Sequence, residues 1–194
     1  MELLILLFVI AALGLIVASL CHRLAALRNA GKDAFAQLDV HLRRRYEMMP
    51  SLVETARKHM PQERETLQAV IVARNTAIQA ERRAATKPTD AAAIQQLCGA
   101  ERALSEAVTR LFAASRSYPN LRADATMRVL TEELKSLQHA MSLSREAYND
   151  VLRVYNTMRT TFPANHFAEF CGFVEAPLLK VEKTPDRQPV RVPA

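Results

Sequence analysis

The chain has 194 residues, a net charge of +6, only four glycines and no tryptophan. Ala, Leu, Arg, Glu and Gln dominate, which favours helices and leaves little material for the glycine-rich turns of an all-β fold. Acidic residues interleave with the basic ones, and no RRM, KH, zinc-finger or helix-turn-helix signature is present, so nucleic acid is not expected as a partner.

Leu3 to Leu20 carries no charge. As a helix it is about 27 Å long, close to the hydrocarbon thickness of a bilayer. A cleaved signal peptide needs a basic start and a small-residue cleavage site. Here Glu2 is the only charged side chain before the run, which ends Ser19-Leu20-Cys21-His22. Leu20 also stands where a lipoprotein signal needs a small residue. Residues 1–21 are therefore read as a retained transmembrane anchor, in contact with membrane lipid through residues 3–20. Arg23, Arg28 and Lys32 follow it. The positive-inside rule then places the short N-terminus outside and the rest in the cytoplasm, as a single-pass protein of the inner membrane. Cys21, Cys98 and Cys171 are widely spaced, odd in number and form no CxxC pair. They read as small buried hydrophobes in a reducing compartment rather than as a disulfide framework.

From Arg23 the spacing predicts a helix continuing out of the membrane, with Leu24, Leu27, Gly31, Phe35, Leu38 and Leu42 on one face. Asp39 and Arg43 are four apart and set to pair. Arg43, Arg44 and Arg45 span about 200° of helix and cannot share one partner. One or two of them are expected to face the bundle or lipid phosphate, the rest water. Pro50 lies inside the pattern, which resumes at Leu52, Val53 and Ala56, so a kink is expected there. Pro61, followed by Gln62, Glu63, Arg64 and Glu65, reads as a helix start. The sequence leaves open which proline makes the larger break.

A second helix is predicted over 62–84, with a stripe of Leu67, Val70, Ile71 and Ile78 and with Arg74 on the same side. A third spans 91–117, with Ile94, Leu97, Leu104, Val108 and Leu111 on one face and Glu101 interrupting them. The fourth, over 125–161, has the longest seam: Met127, Leu130, Leu134, Leu137, Met141, Tyr148, Val151, Tyr155, Met158 and Phe162, broken at Ser144. Tyr148-Asn149 and Tyr155-Asn156 repeat after seven residues. Each tyrosine ring suits the seam while its hydroxyl reaches a polar group, and each asparagine is placed to bond across to a neighbouring helix. Beyond Phe162-Pro163, Phe167, Phe170, Phe173, Val174, Leu178 and Leu179 make an apolar cluster. Gly172 and Pro177 interrupt it, so it is too short to span a bilayer; it is expected to pack back on the bundle, with a place at the membrane surface as the alternative. Lys183 to Ala194, with three prolines, reads as a disordered tail. The fold class is thus all-α: a transmembrane helix (1–21), a long antiparallel up-and-down bundle of about four helices with coiled-coil-like packing (22–162), and a C-terminal apolar segment with its tail (163–194).

These residues resemble the LemA family. The resemblance rests on Arg28-Asn29, on Leu38-Asp39-Val40 with Leu42, Arg44 and Arg45, and on Pro50 with Leu52-Val53-Glu54. It continues through Glu63, Ala73-Arg74, Tyr118-Pro119 with Leu121, both Tyr-Asn pairs, Asn156-Thr157, Phe162-Pro163 and Gly172-Phe173. It covers roughly residues 22 to 174. It implies an N-terminal membrane helix with a tiny outside end and a cytoplasmic antiparallel helical bundle. The family's molecular role is poorly defined, so the resemblance informs fold and location more than activity. Where relatives tend to have Thr-Glu-Asn, this chain has Leu137-Gln138-His139.

Function follows from what the residues offer. No histidine among His22, His41, His59, His139 and His166 has a glutamate three residues before it, and there is no HExxH or GxSxG. An enzyme, a metal or another cofactor is not expected. The expectation is a membrane-anchored interaction or scaffold protein, binding an unknown protein partner or a second copy of itself. Asp39, Arg43, Arg44, Arg45 and Glu63 are the candidate interaction residues; Pro50, Tyr148, Asn149, Tyr155 and Asn156 are structural. A lipid-binding or membrane-shaping role is the alternative. Arg43 stands about 33 Å beyond Cys21 along a continuous helix, too far for direct headgroup contact without strong tilt.

Overall fold

The computed structural model describes residues 1–169 and 171–179 and is all-α. Four long helices, α1 (Glu2–His59), α2 (Arg64–Thr86), α3 (Ala91–Ser115) and α5 (Ala125–Thr160), form the bundle. Two short ones, α4 (Pro119–Ala123) and α6 (Ala164–Phe167), serve as connectors. The tail expected over 183–194, and Phe170 in the apolar cluster, lie outside the described residues.

The helix α1 is a single 58-residue helix that passes from the apolar segment into the bundle without interruption. Its most apolar 18-residue window has a mean hydropathy of 3.1 and none of it is buried, so it is long and apolar enough to cross a membrane. From Leu24 the character changes. Leu24, Gly31, Phe35, Leu38 and Leu42 are buried on the predicted face, and the stripe continues through Tyr46, Met49, Leu52, Val53 and Ala56. Pro50 lies within α1, which runs on to His59. The break falls at the turn holding Pro61, where the Met60 N–H donates to Ala56 O at 2.9 Å and the Glu63 N–H to Met60 O at 3.2 Å. The turn delays α2 to Arg64, two residues later than the pattern predicts, and leaves Glu63 as its N-cap residue.

The closest helix pairs are α1 with α5, α2 with α3, and α1 with α2; α3 and α5 stand further apart. Small side chains set the close approaches. In α2 the predicted Ile71 and Ile78 are only half-buried, whereas Ala77, Ala80 and Ala84 are buried. In α3 the same holds for Ala93, Ala100 and Ala107. At the α1–α5 crossing, a Cβ on Gly31 would lie 2.7 Å from Leu152 Cδ2, so glycine lets the two backbones meet there. Side-chain caps fix the helix starts: the Asp90 carboxylate accepts the Ala92 N–H, and Asp124 accepts that of Met127, each at 2.9 Å.

Two seam positions of α5 are corrected. Leu152, not Val151, is fully buried, and Phe162 is 76 % exposed because α5 ends at Thr160 before reaching it. The cysteines are corrected too. Cys171 is exposed, and Cys21 is half-buried with its Sγ 2.8 Å from that of Cys171.

The lengths do not match, and this shapes the proximal end, the end nearest the apolar segment. The helix α5 is about 54 Å long, but α2 and α3 reach only about 35–38 Å. Their connecting turn meets α5 at Tyr148, whose hydroxyl donates to Pro88 O at 2.9 Å. Beyond that point α1 and α5 lack cover from α2 and α3. The segment after α6 supplies it: Phe173 and Leu179 of the predicted apolar cluster are buried, with Ala176 beside them, whereas Val174 is exposed and Phe167 and Leu178 are half-buried.

Candidate functional site

The three consecutive arginines leave α1 in three directions, as their angular spread requires, and each takes a carboxylate on a different helix. Arg43 Nη2 lies 3.1 Å from Glu81 Oε1 on α2 and 2.9 Å from Asp39 Oδ2 one turn back on α1. Arg44 Nη2 donates to Glu133 Oε1 on α5 at 2.7 Å. Arg45 Nη1 donates to Glu101 Oε2 on α3 at 2.7 Å, and its Nη2 to Ser105 Oγ at 3.0 Å. All three face carboxylates within the bundle, where one or two were expected to face the bundle or lipid phosphate and the rest water. Their exposure still differs sharply. The Arg43 and Arg44 side chains are 58 % and 64 % exposed, that of Arg45 only 8 %.

Glu101, which interrupts the apolar stripe of α3, is the acceptor that Arg45 requires. Its second oxygen accepts from the Tyr46 hydroxyl at 2.6 Å. Burial, then the Glu101 charge, pushes the Tyr46 phenol far above its ordinary range. This network joins α1 to α3 through long side chains rather than through close helix contact. Around Asp39 the balance differs. Burial first, then the facing Glu81 carboxylate, raises the Asp39 carboxyl to about 7, against the opposing pull of Arg43. Asp39 Oδ1 is buried without a hydrogen-bond partner.

Pro50 explains a contact that periodicity alone did not. Proline has no N–H, so the carbonyl four residues earlier, on Tyr46, loses its helical donor. Arg74 Nε on α2 donates to that carbonyl at 2.7 Å. A side chain from the neighbouring helix thus replaces the missing bond, and α1 continues. The presence of both Pro50 and Ala73-Arg74 among the motif residues was the available signal.

The two Tyr-Asn pairs hold an extended chain rather than another helix. Asn156 Nδ2 donates to Ala176 O at 2.8 Å, while its Oδ1 accepts the Ala176 N–H at 3.0 Å. Asn149 does the same to Leu179, at 3.1 and 2.8 Å. The Tyr155 hydroxyl donates to Val174 O at 2.8 Å, and that of Tyr148 has Pro177 O at 3.2 Å as a second acceptor. The spacing follows from geometry. Seven helical residues advance about 10.5 Å, and three extended ones about 10 Å. A Tyr-Asn repeat of seven therefore matches carbonyls three apart on a strap that runs antiparallel to the helix.

Glu63 does not join the arginines. It stands at the N-cap position of α2 at the far end of the bundle, where its carboxylate accepts from Thr66 Oγ1 at 3.1 Å and the Tyr118 hydroxyl at 3.5 Å, about 25 Å from Arg43 along α1. Among the described residues no three His, Cys, Asp or Glu gather at metal-binding distance. The family model for the LemA family matches residues 34–193, starting later than the motif resemblance and extending further toward the C-terminus. Among curated proteins, none matches the chain.

Proposed function

Because the chain belongs to the LemA family, we propose that it is a single-pass membrane protein whose bundle serves as a contact surface for proteins at the cytoplasmic face of the inner membrane. The observation that carries this reading is α1 itself. One helix holds an unburied apolar window and the central face of the bundle, so the bundle's position follows that of the membrane segment. The role requires no reaction and no cofactor.

Arg43 and Arg44, with Asp39 beside them, form the contact surface of this reading. The Arg44–Glu133 pair is solvent-exposed, and such pairs contribute only about 0–1 kcal/mol. An acidic surface on a partner replaces Glu133 at little cost. Arg45 and Glu63 serve the bundle instead, since both are engaged within it. Native mass spectrometry of the full-length protein, released gently from its own membrane, tests the proposal. A defined complex that the Arg43→Ala, Arg44→Ala variant loses while remaining folded is the expected result. A bare monomer for both proteins would defeat the proposal. Protease protection in sealed vesicles of known orientation tests the cytoplasmic placement.

A lipid-contacting role is favoured by a separate observation. Phe162 lines a shallow groove with Leu20, Val154 and Met158, at the depth where the apolar segment ends. A large exposed ring at that level suits the bilayer interface. Loss of vesicle association by Phe162→Ser, with the apolar segment intact, would favour this reading over the first.

A further inference from the structure

We propose that Cys21 and Cys171 are a reversible dithiol–disulfide pair, oxidised by hydroperoxides, that latches the strap to the membrane-proximal end of α1. The two sulfurs lie 2.8 Å apart across 150 residues of sequence. Local bonds on each side hold them there. Cys21 is part of continuous α1. Cys171 sits in a turn closed by its own N–H donating to Phe167 O at 2.9 Å and by the Phe173 N–H donating to Ala168 O at 2.8 Å. Gly172, at φ +74°, allows the chain to reverse there. Phe173 is then buried, and Val174 O accepts from Tyr155. Two thiols pinned this closely meet with little loss of chain freedom.

Access and chemistry agree. Cys171 is exposed and Cys21 half-buried, so an oxidant reaches the first and the second resolves it. The Cys171 thiol, as thiolate, attacks a peroxide oxygen; the O–O bond breaks, the sulfenic acid forms, and the departing hydroxide, or alkoxide from an organic hydroperoxide, takes up the thiol's proton and leaves as water or an alcohol. Cys21 sulfur then attacks the sulfenic sulfur, the S–S bond forms, its thiol proton leaves with the hydroxyl, and a second water is released. Two thiols are oxidised and one peroxide is reduced. A dithiol reductant reverses the step by exchange. The closed bond ties the start of the strap to α1, upstream of the Tyr-Asn ladder, and so holds residues 174–179 close to α5.

Hydrogen peroxide is the probe. Full-length protein in detergent is exposed to it, thiols are capped with a maleimide, and peptides are read by mass spectrometry. The expected product is one intramolecular cross-link between the peptides holding Cys21 and Cys171. It should form about tenfold faster than Cys98 is consumed, and dithiothreitol should reverse it. Cys98→Ser should leave it unchanged; Cys21→Ser and Cys171→Ser, each still helical by circular dichroism, should abolish it. Hydrogen exchange over 174–179 should slow in the oxidised form alone. Cross-links involving Cys98 at equal rate, only intermolecular cross-links, or over-oxidation of Cys171 with Cys21 intact would each overturn the proposal.

Discussion

Midway along the bundle, distal to the strap, Arg43, Arg44 and Arg45 reach three helices through side-chain carboxylates; toward the proximal end, Tyr148, Asn149, Tyr155 and Asn156 reach the backbone of residues 174–179. The difference follows from what each neighbour offers. A helix interior has used its N–H and C=O groups, so only side chains remain for cross-links. An extended strap has used none, and its buried polar groups require donors and acceptors. The asparagine amide supplies both at once. Distal contacts therefore depend on residue identity on both sides. The ladder reads backbone and is indifferent to which side chains the strap carries, apart from the buried Phe173, Ala176 and Leu179.

The largest effect should come from the distal network. Glu101→Ala strands Arg45, whose side chain is 8 % exposed, and leaves the buried Tyr46 hydroxyl without its acceptor. Removing one partner of a buried pair costs about 3–5 kcal/mol. Urea unfolding of the full-length protein should show that loss. Replacing both partners, as Arg45→Met with Glu101→Leu, should recover most of it. A single mutant as stable as the parent would mean that water already serves Arg45, and the two ends would then differ less than the contacts suggest.

The proximal ladder should respond more mildly and more locally. Asn156→Ala removes two hydrogen bonds to Ala176 and leaves that residue's N–H and C=O unpaired, a cost of about 1–3 kcal/mol. Hydrogen exchange should rise over 174–179 and stay unchanged over α2 and α3. Exchange rising equally in α2 would show that strap and bundle open as one unit. A similar cost, about 1–3 kcal/mol, is expected for Arg74→Met, which orphans the Tyr46 carbonyl beneath Pro50. In a Pro50→Ala background the helix supplies its own N–H, so Arg74→Met should cost clearly less. Equal costs in both backgrounds would remove the link between the proline and the arginine.

Much of this was legible in the sequence for a physical reason. Three-four spacing reports which face is buried, and it located α2, α3 and α5 to within two residues at each end. It also set Asp39 beside Arg43 and showed that three arginines need separate partners. Spacing carries less about what lies across from a face. The partners Glu81, Glu133 and Glu101 come from distant segments, and only Glu101 left a trace, as the charge in an apolar stripe. Val151 and Leu152 are neighbours on the helix surface, and a drift of one position exchanged them. The extended partner of the Tyr-Asn repeat was hidden because an asparagine serves a helix or a strap equally well. Cys21 and Cys171 are brought together by a turn after α6, which no local pattern encodes.

The last test concerns Asp39, and it asks whether charge or burial governs the network around the arginines. An unfolded aspartate titrates near 3.9. In the fold, burial and the facing Glu81 raise Asp39 to about 7, with Arg43 opposing them. Between those values the folded chain holds a proton that the unfolded chain has released. Stability should therefore fall as pH rises through that window, since stability rises with pH only where the unfolded state binds more protons. Asp39→Asn removes the slope. Urea midpoints for the two proteins should lie close together near the bottom of the window and separate toward its top, with the asparagine variant the more stable above about pH 7. If the Arg43 ion pair at 2.9 Å prevails instead, the variant will be the weaker protein at neutral pH, and Asp39 belongs with the paired carboxylates Glu101 and Glu133 rather than with a proton held by burial.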